Sequence, residues 1–341
     1  MSALQPPSIN SSLPTLADWM ELQALCSPRR AAHDHDLIAI IQVVEDDEDD
    51  DEIASDSRAE ELIDDVFAEL ERRMAAAEDR YPFLVSNSGT TLSLEISGGD
   101  YACYAYLFCL LVSEHRRQEL VPRWVFSPIA GKVEDLFQVC STVAAAGLLN
   151  GCATSFGFPR PDNSGFLAAL TRTFEDRMRE GRIERIPRAG VSSATKDGGI
   201  DIVAWSNFPD GLPSKLYLLG QCASGAKYPD KSVGAYIRSF HEDWFTTVPG
   251  STPLEAMFIP FMLDSRLTAR KRETLGEARQ GHYLSQARTL GVIVDRCRLA
   301  YLVKDGMSVE QRRPSSVERV GEMSLVEDWV NTAIRSLTSA T

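Results

Sequence analysis

KDGGIDIVAW (196–205) and KLYLLGQCASG (215–225) are the two stretches on which the fold turns. Both are rich in aliphatic, β-branched and aromatic residues that suit a buried, pleated strand, and the loop NFPDGLPS (207–214) between them is made of turn formers. Asp201 stands at the start of the first strand and Gln221 at the end of the second. Polar side chains at the ends of buried strands need partners or a task. If the strands pair, the two residues lie about 5 Å apart at the backbone, which is compatible with one shared ion. Gly198 and Gly199, just before Asp201, permit backbone angles closed to other residues and leave room for a close approach.

Working outward, three regions follow. Residues 1–150 read as mainly helical: TLADWMELQALC (15–26) with Thr15 as N-cap, HDLIAIIQVV (35–44), AEELIDDVFAELERRMAAAEDRY (59–81), YACYAYLFCLLVSEHRR (101–117) and VEDLFQVCSTVAAAGLL (133–149), with a short strand in TTLSLEISGG (90–99). Residues 151–265 alternate: a helix over 164–181, a strand in RIERIPRAG (182–190), the two strands quoted above, a helix over 232–245 and a strand in LEAMFIPFML (254–263). Residues 266–341 read as a helical extension, with helices over 270–303 and 324–337.

At 341 residues, 44% hydrophobic and 25% charged, the chain has the composition of a globular protein with a sizeable core. No apolar run reaches the ~20 residues of a membrane span, and the N-terminus lacks the pattern of a signal peptide, so the expected location is the cytoplasm. The seven cysteines form no CxxC pair and the five histidines complete no zinc spacing. Net charge is −14, which argues against coating nucleic acid non-specifically. Much of that charge is local: EDDEDDDE (45–52) carries eight carboxylates. Mutual repulsion makes 45–57 an expected mobile loop, available to mask a basic groove or to contact a partner.

The order helix, strand, strand, strand, helix, strand over 165–265, with DGGID on one strand and GQCAS on the next, resembles the PD-(D/E)XK nuclease superfamily. That resemblance implies a mixed α/β, αβββαβ restriction-endonuclease-like core flanked by helical N- and C-terminal regions. It implies Asp201 as the metal-ligating aspartate of the second strand, Gln221 as its third-strand counterpart, and Glu175, inside TRTFEDRM, as the acid of the first helix. Mg²⁺ (or Mn²⁺) is the implied cofactor, with Asp201, Glu175 and Gln221 as its ligands. Hard divalent cations prefer oxygen donors and keep several waters, so one or two carboxylates with an amide or main-chain carbonyl suffice. Such an ion screens the phosphate, activates water and stabilises the leaving oxyanion.

The lysine that this pattern places two residues after Gln221 is absent, for position 223 is Ala223. Lys227 and Lys231, just beyond the strand, are the replacements to weigh, with Lys231 preferred because it stands at the start of a helix; Lys196 is a third choice. The basic segments RTFEDRMREGRIERIPR (172–188) and RLTARKR (266–272) and the aromatic Trp205, Tyr228 and Trp244 are candidate contacts to nucleic acid, or solvated and core residues respectively. The implied function is a Mg²⁺-dependent DNA endonuclease subunit of a bacterial restriction or anti-phage defence system. An ATPase, a helicase, another defence subunit or a second copy would be its partner. Ala223 keeps a second reading open, that of a catalytically silent module binding nucleic acid or a partner subunit.

Overall fold

The computed structural model describes residues 4–8, 11–45, 52–126, 129–160, 162–186, 196–263 and 274–339. The chain begins with α1 (Leu13–Cys26), capped by the Ser12 hydroxyl, which accepts from the Thr15 N–H. The cap is therefore three residues earlier than Thr15, and Pro14 sits in the first turn, where its missing N–H costs nothing. β1 (Ala31–His33), α2 (Asp34–Glu45), α3 (Glu52–Ala77), β2 (Phe83–Val85) and β3 (Thr91–Leu94) follow, and the three strands form an antiparallel sheet in the order β1-β3-β2. Of the expected acidic loop, Glu45 and 52–57 are helical, whereas 46–51 lie outside the described residues. α4 (Tyr101–Arg117) is buried continuously from Ala102 to Glu114.

The principal sheet begins after α5 (Val133–Leu149), with β4 (Cys152–Ser155). α6 (Phe166–Leu170) then runs into a wider π-helical segment, Thr171–Arg177, ahead of β5 (Arg182–Ile183). β6 (Ile202–Trp205), β7 (Tyr217–Cys222), α7 (Gly234–Trp244), β8 (Phe245–Thr247), β9 (Leu254–Phe258), α8 (Leu275–Leu290), β10 (Val292–Val294), α9 (Arg296–Arg312) and α10 (Met323–Ser339) complete the chain. The five-stranded sheet has the order β10-β9-β7-β6-β4. β6 runs antiparallel to both its neighbours, β4 and β7, while β7, β9 and β10 run parallel.

Two expectations are corrected here. The strand expected in 182–190 reduces to the two-residue β5, which pairs with β8 outside the principal sheet. The first strand of that sheet is β4, so the helix leading into it is α5 rather than 164–181. The helix expected over 270–303 is broken by β10. At Gly291 φ is +74°, and a Cβ there would stand 2.2 Å from the Glu255 carbonyl oxygen, so only glycine lets β10 lie beside β9.

Side chains alternate across the sheet, as strand geometry requires. Ile202, Ala204 and Leu218 join one apolar cluster with α5 and α9, and Val203, Trp205, Tyr217 and Leu219 join another with Phe166, Phe174 and Phe240. The first cluster takes in Leu16 of α1, Phe108 of α4 and Val330 of α10, so the boundaries expected at 150 and 265 do not separate independent cores. α5 and α9 touch backbone to backbone. A Cβ on Gly147 would lie 2.1 Å from the Leu302 carbonyl oxygen, and one on Gly306 would lie 2.0 Å from that of Val143. Among the described residues no helix is long and apolar enough to cross a membrane.

Candidate active site

Asp201 immediately precedes β6. The ladder pairs Ile202 with Gly220, so one further step brings Asp201 opposite Gln221 at the backbone. Its main chain is held on both sides: its N–H donates to the Gly220 carbonyl at 2.9 Å, and its carbonyl accepts from the Phe156 and Gly157 N–H groups at 2.7 and 2.9 Å. The approach is a tight turn in which Gly198 and Gly199 have φ of +63° and +78°, and the Asp197 carboxylate accepts from the Gly199 N–H at 2.9 Å. The double glycine thus takes the left-handed conformations that its place before the strand suggested.

The Asp201 carboxylate accepts one hydrogen bond, from the Cys222 N–H at 2.8 Å to Oδ2. Oδ1 lies beside Gly157, where an added Cβ would meet it at 2.6 Å and the Gln138 side chain at 2.7 Å. Gln138 of α5 therefore stands next to Asp201, and its Nε2 donates to the Ser155 hydroxyl at 2.8 Å and the Asp201 carbonyl at 3.2 Å. Burial pushes the Asp201 carboxyl up to about 6, against the Cys222 N–H, which pulls it down; Asp197 adds to the rise and Lys231 opposes it.

Lys231 is thus within electrostatic reach of Asp201. It lines a cleft of about 300 Å³ together with Lys227, Glu134, Phe137 and Cys222. Lys196 is turned elsewhere, its Nζ 5.2 Å from the centre of the Phe158 ring. Ala223 is buried in an apolar cluster with Met257, Ile259 and Ile293, at the wall of the same cleft. Gln221 meets Asp201 at the backbone, but alternation along β7 puts its side chain on the face of Tyr217 and Leu219, and its Oε1 is buried without a hydrogen-bond partner.

Glu175 is not brought to this group. Its carboxylate accepts from the Ile183 N–H at 2.8 Å and from Arg185 at 3.2 Å, closing the start of β5. It shares a shallow cleft with Glu180 and Pro213, and Glu180 accepts from the Lys215 N–H, ahead of the N-terminal end of β7. That is the opposite end of the strand from Gln221. Of the arginines of 172–188 that were candidate phosphate contacts, three are paired: Arg172 with Asp162 and Glu318, Arg177 with Glu318, and Arg185 with Glu175. RLTARKR (266–272) lies outside the described residues. Trp205 and Trp244 are core residues, whereas Tyr228 lines the cleft.

The residues that the sequence reading missed are on α5. Glu134 and Gln138 are four apart, hence on one face of the helix, and that face looks onto the cleft and onto Asp201. The signal was present as two polar residues at helical spacing in an apolar segment, VEDLFQVC (133–140). Among the described residues no three His, Cys, Asp or Glu side chains gather as a metal cage. A site here would rest on one carboxylate with amide and main-chain oxygens, a donor set suited to Mg²⁺. No protein-family model matches the chain, and neither a curated protein nor a solved structure is significantly similar to it.

Proposed function

We propose that the protein is a Mg²⁺- or Mn²⁺-dependent DNA endonuclease acting in the cytoplasm as a subunit of a bacterial restriction or anti-phage defence system. The observation that carries the reading is the Asp201 carboxyl, half-buried at the junction of two strands with a lysine in reach and a proton affinity raised to about 6. Functional sites are where such uncompensated groups collect. The sheet supports it too: α5, β4, β6, β7, α7 and β9 give the helix, three antiparallel strands, helix and parallel strand that a restriction-endonuclease-like core requires, with Asp201 at the second strand and Gln221 on the third.

In this reading Asp201 is the principal ligand of the cation. Gln138, whose amide stands beside it, supplies a further oxygen after a local adjustment. Glu134, one turn before Gln138, provides the helical acid that Glu175 does not. The ion supplies charge screening and water activation. Lys231 orients the attacking water and offsets negative charge developing on the phosphate. Net charge of −14 argues for help in bringing the substrate, from an ATPase, a helicase, another defence subunit or a second copy.

Nicking of supercoiled plasmid with Mg²⁺ or Mn²⁺ tests this. The expected result is nicking by the wild type, lost in Asp201→Ala and reduced about 100-fold or more in Lys231→Ala, with Lys227→Ala close to wild type. Nicking that persists in Asp201→Ala would refute the assignment. DNA binding without nicking in any metal would favour the second reading, a silent module, for which the apolar packing of Ala223 speaks.

A further inference from the structure

The loop Ser224–Tyr228 separates two clefts. The smaller is the one that Lys227 and Lys231 line; the larger, about 440 Å³, is walled by Arg116 and Arg117 at the end of α4, by Tyr228 and Phe261, and by His282 of α8. Arg116 and Tyr228 belong to both. In a chain of net charge −14, no carboxylate is found among the described residues that line the larger cleft. We propose that this cleft is a binding site for a free mononucleotide, with the phosphate on Arg116 and the loop main chain and the base against Tyr228 and Phe261.

Four observations carry the assignment. The volume falls within the range of small-ligand pockets. Tyr228 and Phe261 pack at 5.3 Å between ring centres with an angle of 58°, and both are half-buried and line the cleft, so they offer an apolar wall to a planar base. The main-chain N–H groups of Ser224, Gly225, Ala226 and Lys227 donate to no described protein group, and a run of free N–H groups beside a cation is an anion cradle. Arg117 is already committed, 3.3 Å from Asp18 and 3.7 Å from Glu114, and so contributes a fixed charge.

Arg116 is different. Its ion partner is Glu134, and the two side chains are 35% and 67% exposed. A pair so exposed is weak, and a phosphate dianion in the larger cleft can take Arg116 from it. Binding of the nucleotide and the Arg116–Glu134 contact are therefore in competition. This competition gives the site a signature that a generic anion patch lacks.

Calorimetric titration with AMP tests the site, with adenosine, inorganic phosphate and a 5′-phosphorylated oligothymidylate as comparison ligands. AMP is expected to bind more tightly than either of its halves. Arg116→Ala is expected to weaken AMP about tenfold or more, as loss of a charge-assisted hydrogen bond does. Glu134→Gln is expected to tighten it about two- to fivefold by removing the competitor. Absence of AMP binding at millimolar concentration would overturn the proposal, as would an Arg116→Ala variant with unchanged affinity. Arg116-dependent binding of the oligonucleotide without AMP binding would overturn it too, by assigning the cleft to a strand end. None of these readouts involves cleavage, so the site stands or falls apart from the nuclease reading.

Discussion

Two groups of buried charge in this molecule behave in opposite ways. The first joins α1, α3, α4 and α9. Arg73 is fully buried and meets Asp18 at 2.7 Å, Glu21 at 2.9 Å and Glu69 at 3.0 Å. Arg296, equally buried, meets Asp18 at 2.8 Å and Glu21 at 3.3 Å, while the Tyr81 and Tyr106 hydroxyls donate to Glu21 at 2.8 and 2.7 Å. Burial alone would raise the Asp18 carboxyl, but Arg296 and Arg73 override it and hold the group well below the usual carboxylate range. Glu69 is likewise held at about 2 against its burial, chiefly by Arg72 and Arg73. The second group is Asp201, where burial prevails and the carboxyl rises to about 6.

Burial is common to both; the supply of partners is not. Where each carboxylate meets an arginine, the charges tie the N-terminal helices to α9 and are closed to anything else. Where a carboxylate has one N–H and an ammonium that does not pair with it, it has capacity left for a cation. That difference separates a structural polar cluster from a candidate site.

The comparison breaks most visibly if the first group is opened. Arg73→Ala leaves Asp18, Glu21 and Glu69 short of positive charge in the core, and is expected to cost about 3–5 kcal/mol in urea unfolding. A loss below about 1 kcal/mol would mean that water replaces the guanidinium and that the cluster is not closed.

Asp201→Asn sharpens the other side. A carboxyl whose affinity for its proton is higher folded than unfolded favours the fold when protonated. That contribution is whole below the unfolded value near 3.8 and is lost as pH rises through about 6. The metal-free protein should therefore lose on the order of 2 kcal/mol from this group between pH 4 and pH 7. Asp201→Asn should be more stable than wild type by a similar amount at pH 7.5 and equal to it near pH 4. A variant less stable at every pH would show that the carboxylate is a structural partner after all.

The two strands that carry Asp201 and Gln221 were legible because each is a long apolar run bounded by turn residues. β4 was not, because a four-residue strand in the interior of the molecule has no period to read. Missing it moved the apparent core one helix along the chain and gave Glu175 a role at a point that its side chain, bound to the Ile183 N–H and Arg185, does not reach. The apolar face at Phe166, Leu170 and Phe174 is real, but it packs on the opposite side of the sheet. Arg73 and Arg296 are far apart in sequence, and nothing local marks either as buried; their pairing through Asp18 and Glu21 is a product of tertiary packing.

Mn²⁺ titration of the metal-free wild type and of Asp201→Asn at pH 7.5, followed by calorimetry, tests the central claim most directly. One ion should bind the wild type, with affinity falling as pH drops through about 6, and none should bind the variant at that site. Equal binding by the two proteins, or no binding by the wild type at millimolar Mn²⁺, would contradict the account.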